Sequence, residues 1–347
     1  MTAIYEYELG QAAERVVREL FRLKKGETLI ITGDTESDLR VINATARAAF
    51  AIGGRPMVIL HPSPLGVGKA ADPMLPLEPL AAALSKADAW VEYNNQWLLY
   101  STPYDLAFQE NKKLRHLNLV GMNASMMVRC IGRVDFATLE AFQKAFSSLL
   151  SQTKHIRITT SAGEDVEFER IATIPIRCRM GYAHGPGSEM LAGQISVTPD
   201  FDTICGTIVF DGSLVPPCGK LEQPIRLEIE KGRITGIDGG PQAREFEAWV
   251  DGFGHPQMRR LAHLSYGFNP GARLSGDIVE DERVWGSTEW GIGSVPATIV
   301  PPGYPAPSHC DGISLHSSVW LDGRLVMDVG RLVNPELVSL AAALGKA

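Results

Sequence analysis

The stretch ETLIITGDTESDLRVINATARAAFAIGGRPMVILHP, residues 27–62, decides the fold of the first part of the chain. Its opening ETLIITGD is a short apolar run of strand type. Residues 37–54 then read as a helix, with Ser37 the predicted N-cap and Gly53 or Gly54 the predicted stop. RPMVILHP, residues 55–62, is the next strand. A strand, a helical crossover and a second strand imply parallel pairing. Working outward, LGQAAERVVRELFRL places Leu9, Ala13, Val16, Leu20 and Phe21 on one helical stripe. Downstream, PLEPLAAALSKADAWVEYN gives a helix and a strand, LRHLNLVG another strand, and VDFATLEAFQKAFSSLLSQ a closing helix. The expectation is a Rossmann-like α/β domain with a parallel sheet over residues 1–152.

Beyond residue 152 the pattern changes. HIRITTSAGEDVEFER is a hairpin candidate turning on Ala162-Gly163. In IRLEIEKGRITGIDGG, Ile225, Leu227 and Ile229 alternate with Arg226, Glu228 and Glu230, and Lys231-Gly232 makes the turn. SVWLDGRLVMDVG turns on Asp322-Gly323. Residues 153–347 are therefore expected to form an α+β domain with antiparallel sheet.

Composition bounds the function. The 347 residues are 45% apolar and 21% charged, as in a globular protein, and long enough for two domains. A net charge of −7 and a pI near 5.7 argue against a nucleic-acid partner. No apolar run is long enough to cross a bilayer, and the first residues carry acids where a signal peptide would carry an apolar core. The five cysteines are scattered, with no CxxC pair. Reduced thiols in a cytoplasmic protein are expected.

Three segments hold polar groups that strand packing alone would not require. LAHLSYGFNPGARL carries His263, VWGSTEWGIGS sets Glu289 among glycines, and SHCDGISL carries His309 and Asp311. On a strand, residues i and i+2 share a face, so His309 and Asp311 project together and Cys310 points away. His263, His309 and Asp311 would make a 2-His-1-carboxylate set, the type that holds Fe(II) and leaves positions open. Adding Glu289 gives four N/O donors, which could close the site or share two metals for hydrolysis. The ordinary alternatives are hydrogen-bonded strand histidines, an Asp-Gly turn at 311–312 and a solvated Glu289. RMGYAHGPGSEMLAGQ, residues 179–194, reads as a Gly-rich loop holding Arg179, His184, Glu189 and Gln194. GVGKAAD, residues 66–72, lacks the spacing of a phosphate loop and reads as surface.

The series GTIVFDG, IRLEIEKGRITGIDGG, HLSYGFNPGARL, GSTEWGIG and SHCDGISL resembles the metal-binding half of the M29 (aminopeptidase T-like) superfamily. Within it the likeness is strongest to the 2,5-dihydroxypyridine 5,6-dioxygenases, ring-cleaving Fe(II) enzymes. The resemblance implies metal ligands at His263, His309 and Asp311. The peptidases carry a Glu where this chain has His263, a His where it has Glu289, and a further Glu near neutral Gln194. The dioxygenase pocket places a Glu and two His at positions that hold Arg179, Glu189 and Tyr100 here. An arginine there would suit an anionic substrate.

The resemblance thus implies a mononuclear Fe(II) dioxygenase opening a hydroxylated N-heterocycle or related aromatic acid. Tyr100, Glu189 or His184 would move protons, Arg179 and Gln194 would bind substrate, and Glu289 would act beside the metal. The alternative is a metallohydrolase, an aminopeptidase or amidase using one or two Zn, Mn or Co ions. A small-molecule substrate and a homo-oligomer are expected, with no nucleic-acid or membrane partner.

Overall fold

The structure, a computed structural model, describes residues 6–295, 297 and 300–346. Contacts divide the chain into two units, Met1–Val134 with Arg179–Ala192 and Asp135–Cys178 with Gly193–Ala347. The expected single boundary near residue 152 is therefore displaced at both ends. Helix Phe136–Gln152 joins the second unit because Phe142, Phe146 and Leu150 are buried in that unit's core. Residues 179–192 return to the first unit because Gly187–Met190 is a strand there, paired in parallel with Arg115–Asn118. Glycine and proline in this segment hid the strand behind a loop-like composition.

The first unit is a five-stranded parallel sheet in the order Arg55–His61, Thr28–Asp34, Ala89–Glu92, Arg115–Asn118, Gly187–Met190. Ala89–Glu92 and Arg115–Asn118 are buried at every position, as expected for parallel strands covered on both faces. The helix between the first two strands runs Leu39–Ala51, and its N-cap is Asp38, which accepts from the Arg40 amide. Ser37 donates instead to the Asp34 carboxylate and the Tyr93 carbonyl, tying the first strand's exit to the third's. Gly53, at φ 79°, ends the helix as read.

Two buried histidines of this sheet have both ring nitrogens occupied. His116 Nδ1 lies 2.8 Å from Ser188 Oγ and its Nε2 3.2 Å from Glu92 Oε2. His61 donates from Nδ1 to the Pro62 carbonyl at 2.8 Å, so its Nε2 accepts from the Asn94 amide at 2.6 Å.

The second unit holds an eight-stranded and a seven-stranded sheet that share one core. Its hairpins turn where the sequence places them. Lys231 and Gly232 have φ of 49° and 67°, Asp322 and Gly323 47° and 78°, the left-handed pairs of type I′ turns. In the seven-stranded sheet, Tyr304–Ser314 and Leu261–Gly267 flank Thr288–Val295, and Gln194–Val197 follows on the far side of Leu261–Gly267. One face of this group carries Leu264, Tyr266, Trp290, Ile292 and Cys310 into the core. Trp290 packs edge-on against Phe168 of the other sheet at 5.6 Å. The other face carries the polar side chains. No helix among the described residues is long and apolar enough to cross a membrane, and the five cysteines are free.

Candidate metal centre

Antiparallel register brings three segments of distant sequence into one row. Asp311 pairs with Gly291, His309 with Gly293, and His263 with Gly291 from the opposite side. Facing residues of adjacent strands share a face, so all three polar side chains rise from the same side. Gly291 stands between His263 and Asp311, and a Cβ there would lie 2.4 Å from His263 Nε2. The missing side chain is what lets the imidazole lie across the central strand toward Asp311.

The donor atoms form a small triangle. His263 Nε2 is 3.1 Å from His309 Nε2, His309 Nε2 is 3.0 Å from Asp311 Oδ1, and His263 Nε2 is 3.4 Å from Asp311 Oδ1. Ligands ~2.1 Å from one ion would be about 3.0 Å apart at octahedral angles and about 3.4 Å apart at tetrahedral ones. The three edges match that range. The two imidazole rings lie nearly parallel, 29° apart with centroids at 5.0 Å. A donor set of two imidazoles and one carboxylate suits a divalent transition metal.

Each imidazole is held from behind. His309 donates from Nδ1 to the Ser294 carbonyl at 2.9 Å, which leaves the Nε2 lone pair facing the triangle. His263 Nδ1 lies 3.1 Å from Glu289 Oε1. Glu289 is fully buried, one register step from Gly291 on the same face. It therefore backs a ligand and is not a corner of the triangle, the outer-shell arrangement that orients metal-binding histidines.

Behind Glu289 runs a buried chain that sequence reading missed. The Gln194 amide nitrogen donates to Glu282 Oε2 at 2.9 Å and to Glu289 Oε2 at 3.3 Å. Its carbonyl accepts from Arg283 at 3.2 Å, and Arg283 also bonds Glu282 at 2.6 Å. With its amide engaged in this way, Gln194 orients carboxylates, where a substrate contact was expected. Four acids and an arginine crowded into DIVEDER, residues 277–283, were the available signal.

The cluster is electrostatically tense. Burial works against a charged His263, yet the adjacent Glu289, with Asp311 and Glu282 beyond, outweighs it and lifts the pKa to about 9. Burial raises Glu289, opposed by His263 and reinforced by Asp311. Burial lifts Glu282 to about 8 against the pull of Arg283. Asp311 goes the other way, held below its ordinary value because His309 and His263 outweigh burial. A cation at the triangle would take over the role that protons play here.

Of the other residues expected at the site, Tyr100, Arg179, His184 and Glu189 belong to the first unit. There Arg179 Nη1 is 3.4 Å from Glu189 Oε1, His184 packs on Tyr182 at 5.6 Å, and half-exposed Tyr100 has φ 68°.

Known proteins resemble this chain in sequence and in fold. A family model described as NicX: 2,5-dihydroxypyridine 5,6-dioxygenase matches residues 11–334. A 2,5-dihydroxypyridine 5,6-dioxygenase of Pseudomonas putida KT2440 is 29% identical over 205 residues, which cover 55% of this chain and 58% of that protein. The matched stretch thus spans somewhat more than half of that relative's length. A solved 2,5-dihydroxypyridine dioxygenase from the same organism superposes with a TM-score of 0.78 at 23% identity, over 97% of this chain and 100% of the other. AmpT from Thermus thermophilus superposes with a TM-score of 0.70 at 15% identity, over 95% and 100%.

Proposed function

The chain belongs to the 2,5-dihydroxypyridine 5,6-dioxygenase family, and from that premise we propose that it is a mononuclear Fe(II) dioxygenase that opens a hydroxylated N-heterocycle or related aromatic acid. The observation that carries the reading is the triangle of His263, His309 and Asp311, with edges of 3.0–3.4 Å and each imidazole backed at its remote nitrogen. These three residues would hold the metal. When bound, Fe(II) on three protein donors keeps positions for substrate and O₂ and supplies the electrons that activate O₂.

The chain's own residues do the rest. Glu289 and the Ser294 carbonyl keep the two Nε2 lone pairs aimed inward. Gln194, Glu282 and Arg283 hold Glu289 in place. Gly291 keeps the space above the central strand clear. Arg179 would pair with a substrate carboxylate, and Tyr100, His184 or Glu189 would move the substrate's protons. The hydrolase alternative would need more anionic donors for a second ion. Glu289 and Gln194, the residues at those places, are instead committed to His263, Glu282 and Arg283, which favours one metal. A cytoplasmic homo-oligomer remains part of the proposal, and sedimentation velocity measures its size.

The test is metal analysis of anaerobically purified protein, followed by O₂ uptake with dihydroxypyridines and hydroxylated aromatic acids. Amide and aminoacyl substrates are run in parallel with Zn²⁺, Mn²⁺ or Co²⁺. One metal per chain and O₂ consumption on a ring substrate are expected. Anaerobic amide turnover with no O₂ uptake on any ring would overturn the reading.

A further inference from the structure

A cavity of about 640 Å³ opens in the second unit. Its lining is Trp285, His316, Asp328, Val329, Gly330, Arg331 and Lys346, none of which belongs to the triangle or the chain behind it. The chain carries more acids than bases, 40 against 33, so a gathering of cations is not a matter of composition. Arg331 and Lys346 nevertheless face this one space beside His316, and among the described residues neither of the two forms an ion pair. The single acid of the lining, Asp328, accepts from Ser318 Oγ at 3.1 Å. Arg273 adds to the crowding, since burial and its charge together lower the pKa of Lys346.

The backbone holds this arrangement under strain. His316 and Val329 take left-handed φ of 51° and 47°, an uncommon state for a β-branched residue such as Val329. Three hydrogen bonds keep it there: Ser317 N to the Gly286 carbonyl, Gly330 N to the Ser317 carbonyl, and Val329 N to Ser318 Oγ. Trp285 completes the wall, its ring seated on Phe142 and Phe268 at 5.0 and 5.3 Å. A rigid indole beside unpaired cations offers a flat apolar contact and a charge contact together.

We propose that this cavity binds a small oxyanion, a carboxylate or phosphate, against Trp285, Arg331 and Lys346. The anion would offset the mutual repulsion of the cations and tie the segment after the C-terminal helix, which ends at Ala343, to the sheet. The proposal does not depend on the reaction assigned to the metal centre.

Inorganic phosphate and succinate are titrated separately into the metal-loaded enzyme at constant ionic strength, with chloride as the control. A saturable rise in Tm and a calorimetric binding signal in the millimolar range or tighter are expected. The double variant Arg331→Glu/Lys346→Glu weakens that binding at least tenfold and leaves metal per chain unchanged. If the double variant does not fold, Lys346→Met alone lowers the affinity for either probe. A response to one probe only assigns the site to phosphate or to carboxylate. No response beyond chloride, or equal affinity in the variant, overturns the proposal.

Discussion

Both units set a histidine beside a buried glutamate, yet the two arrangements have opposite consequences. In the first, His116 sits between Ser188 and Glu92, and both ring nitrogens are used up. In the second, His263 spends one nitrogen on Glu289 and turns the other toward His309 and Asp311. A buried His–carboxylate contact is therefore no sign of a metal by itself. The sign is convergence, in which several donors each keep a lone pair for a common point and are held from behind.

The largest expected effect breaks the comparison open. Asp311→Ala should strip the metal and lower turnover by about a thousandfold, the loss of several kcal/mol of metal-dependent catalysis. The circular dichroism spectrum should stay native. His116→Ala should do the reverse, removing about 3 kcal/mol of stability through a cavity and a glutamate oxygen left without its partner. Its metal content should stay at the wild-type value. Metal analysis and chemical denaturation of the two variants check both halves.

A third buried carboxylate sharpens the contrast, because it has no imidazole at all. Glu164 is 2% exposed and accepts from Trp290 Nε1 at 3.0 Å. Burial raises its pKa from the ordinary 4.5 to about 8. A carboxylic acid raised in the folded state costs nothing below its unfolded pKa, and the cost grows as pH climbs toward the folded value. Glu164→Gln should therefore match wild type near pH 4.5 and exceed it by a few kcal/mol at pH 8, at about 1.4 kcal/mol per pKa unit. Denaturation midpoints across that range measure it. A gap that narrows with rising pH would contradict the assignment.

The smallest effect lies within the site. Glu289→Gln keeps the shape but removes the charge that lies 3.1 Å from His263 Nδ1. Metal affinity should fall about 10- to 100-fold, with the ligand triangle intact. Competition with a chelator gives the number.

Local chemistry is what the sequence made legible. Lys231-Gly232 and Asp322-Gly323 declare their turns because the left-handed backbone there selects such residues. His309 and Asp311 declare a shared face because strands alternate. Tertiary choices stayed hidden. Ser37 and Asp38 are both good caps, and the tie from Ser37 to Tyr93 decided between them. Phe142 and Phe146 mark an amphipathic helix but not which unit it covers. The chain from Arg283 to Glu289 joins residues 89 apart at Gln194, a distance no pattern bridges.

Gly291 carries no functional group, and a search for reactive side chains passes over it. Yet a single methyl there would collide with the His263 ring, at 2.4 Å from Nε2, and push that ligand out of the triangle. In a library of all substitutions at the site, position 291 should be the least forgiving, more so than Glu289, whose conservative replacement leaves a working shape. The shape of the candidate centre is thus inherited partly from an atom the chain does without.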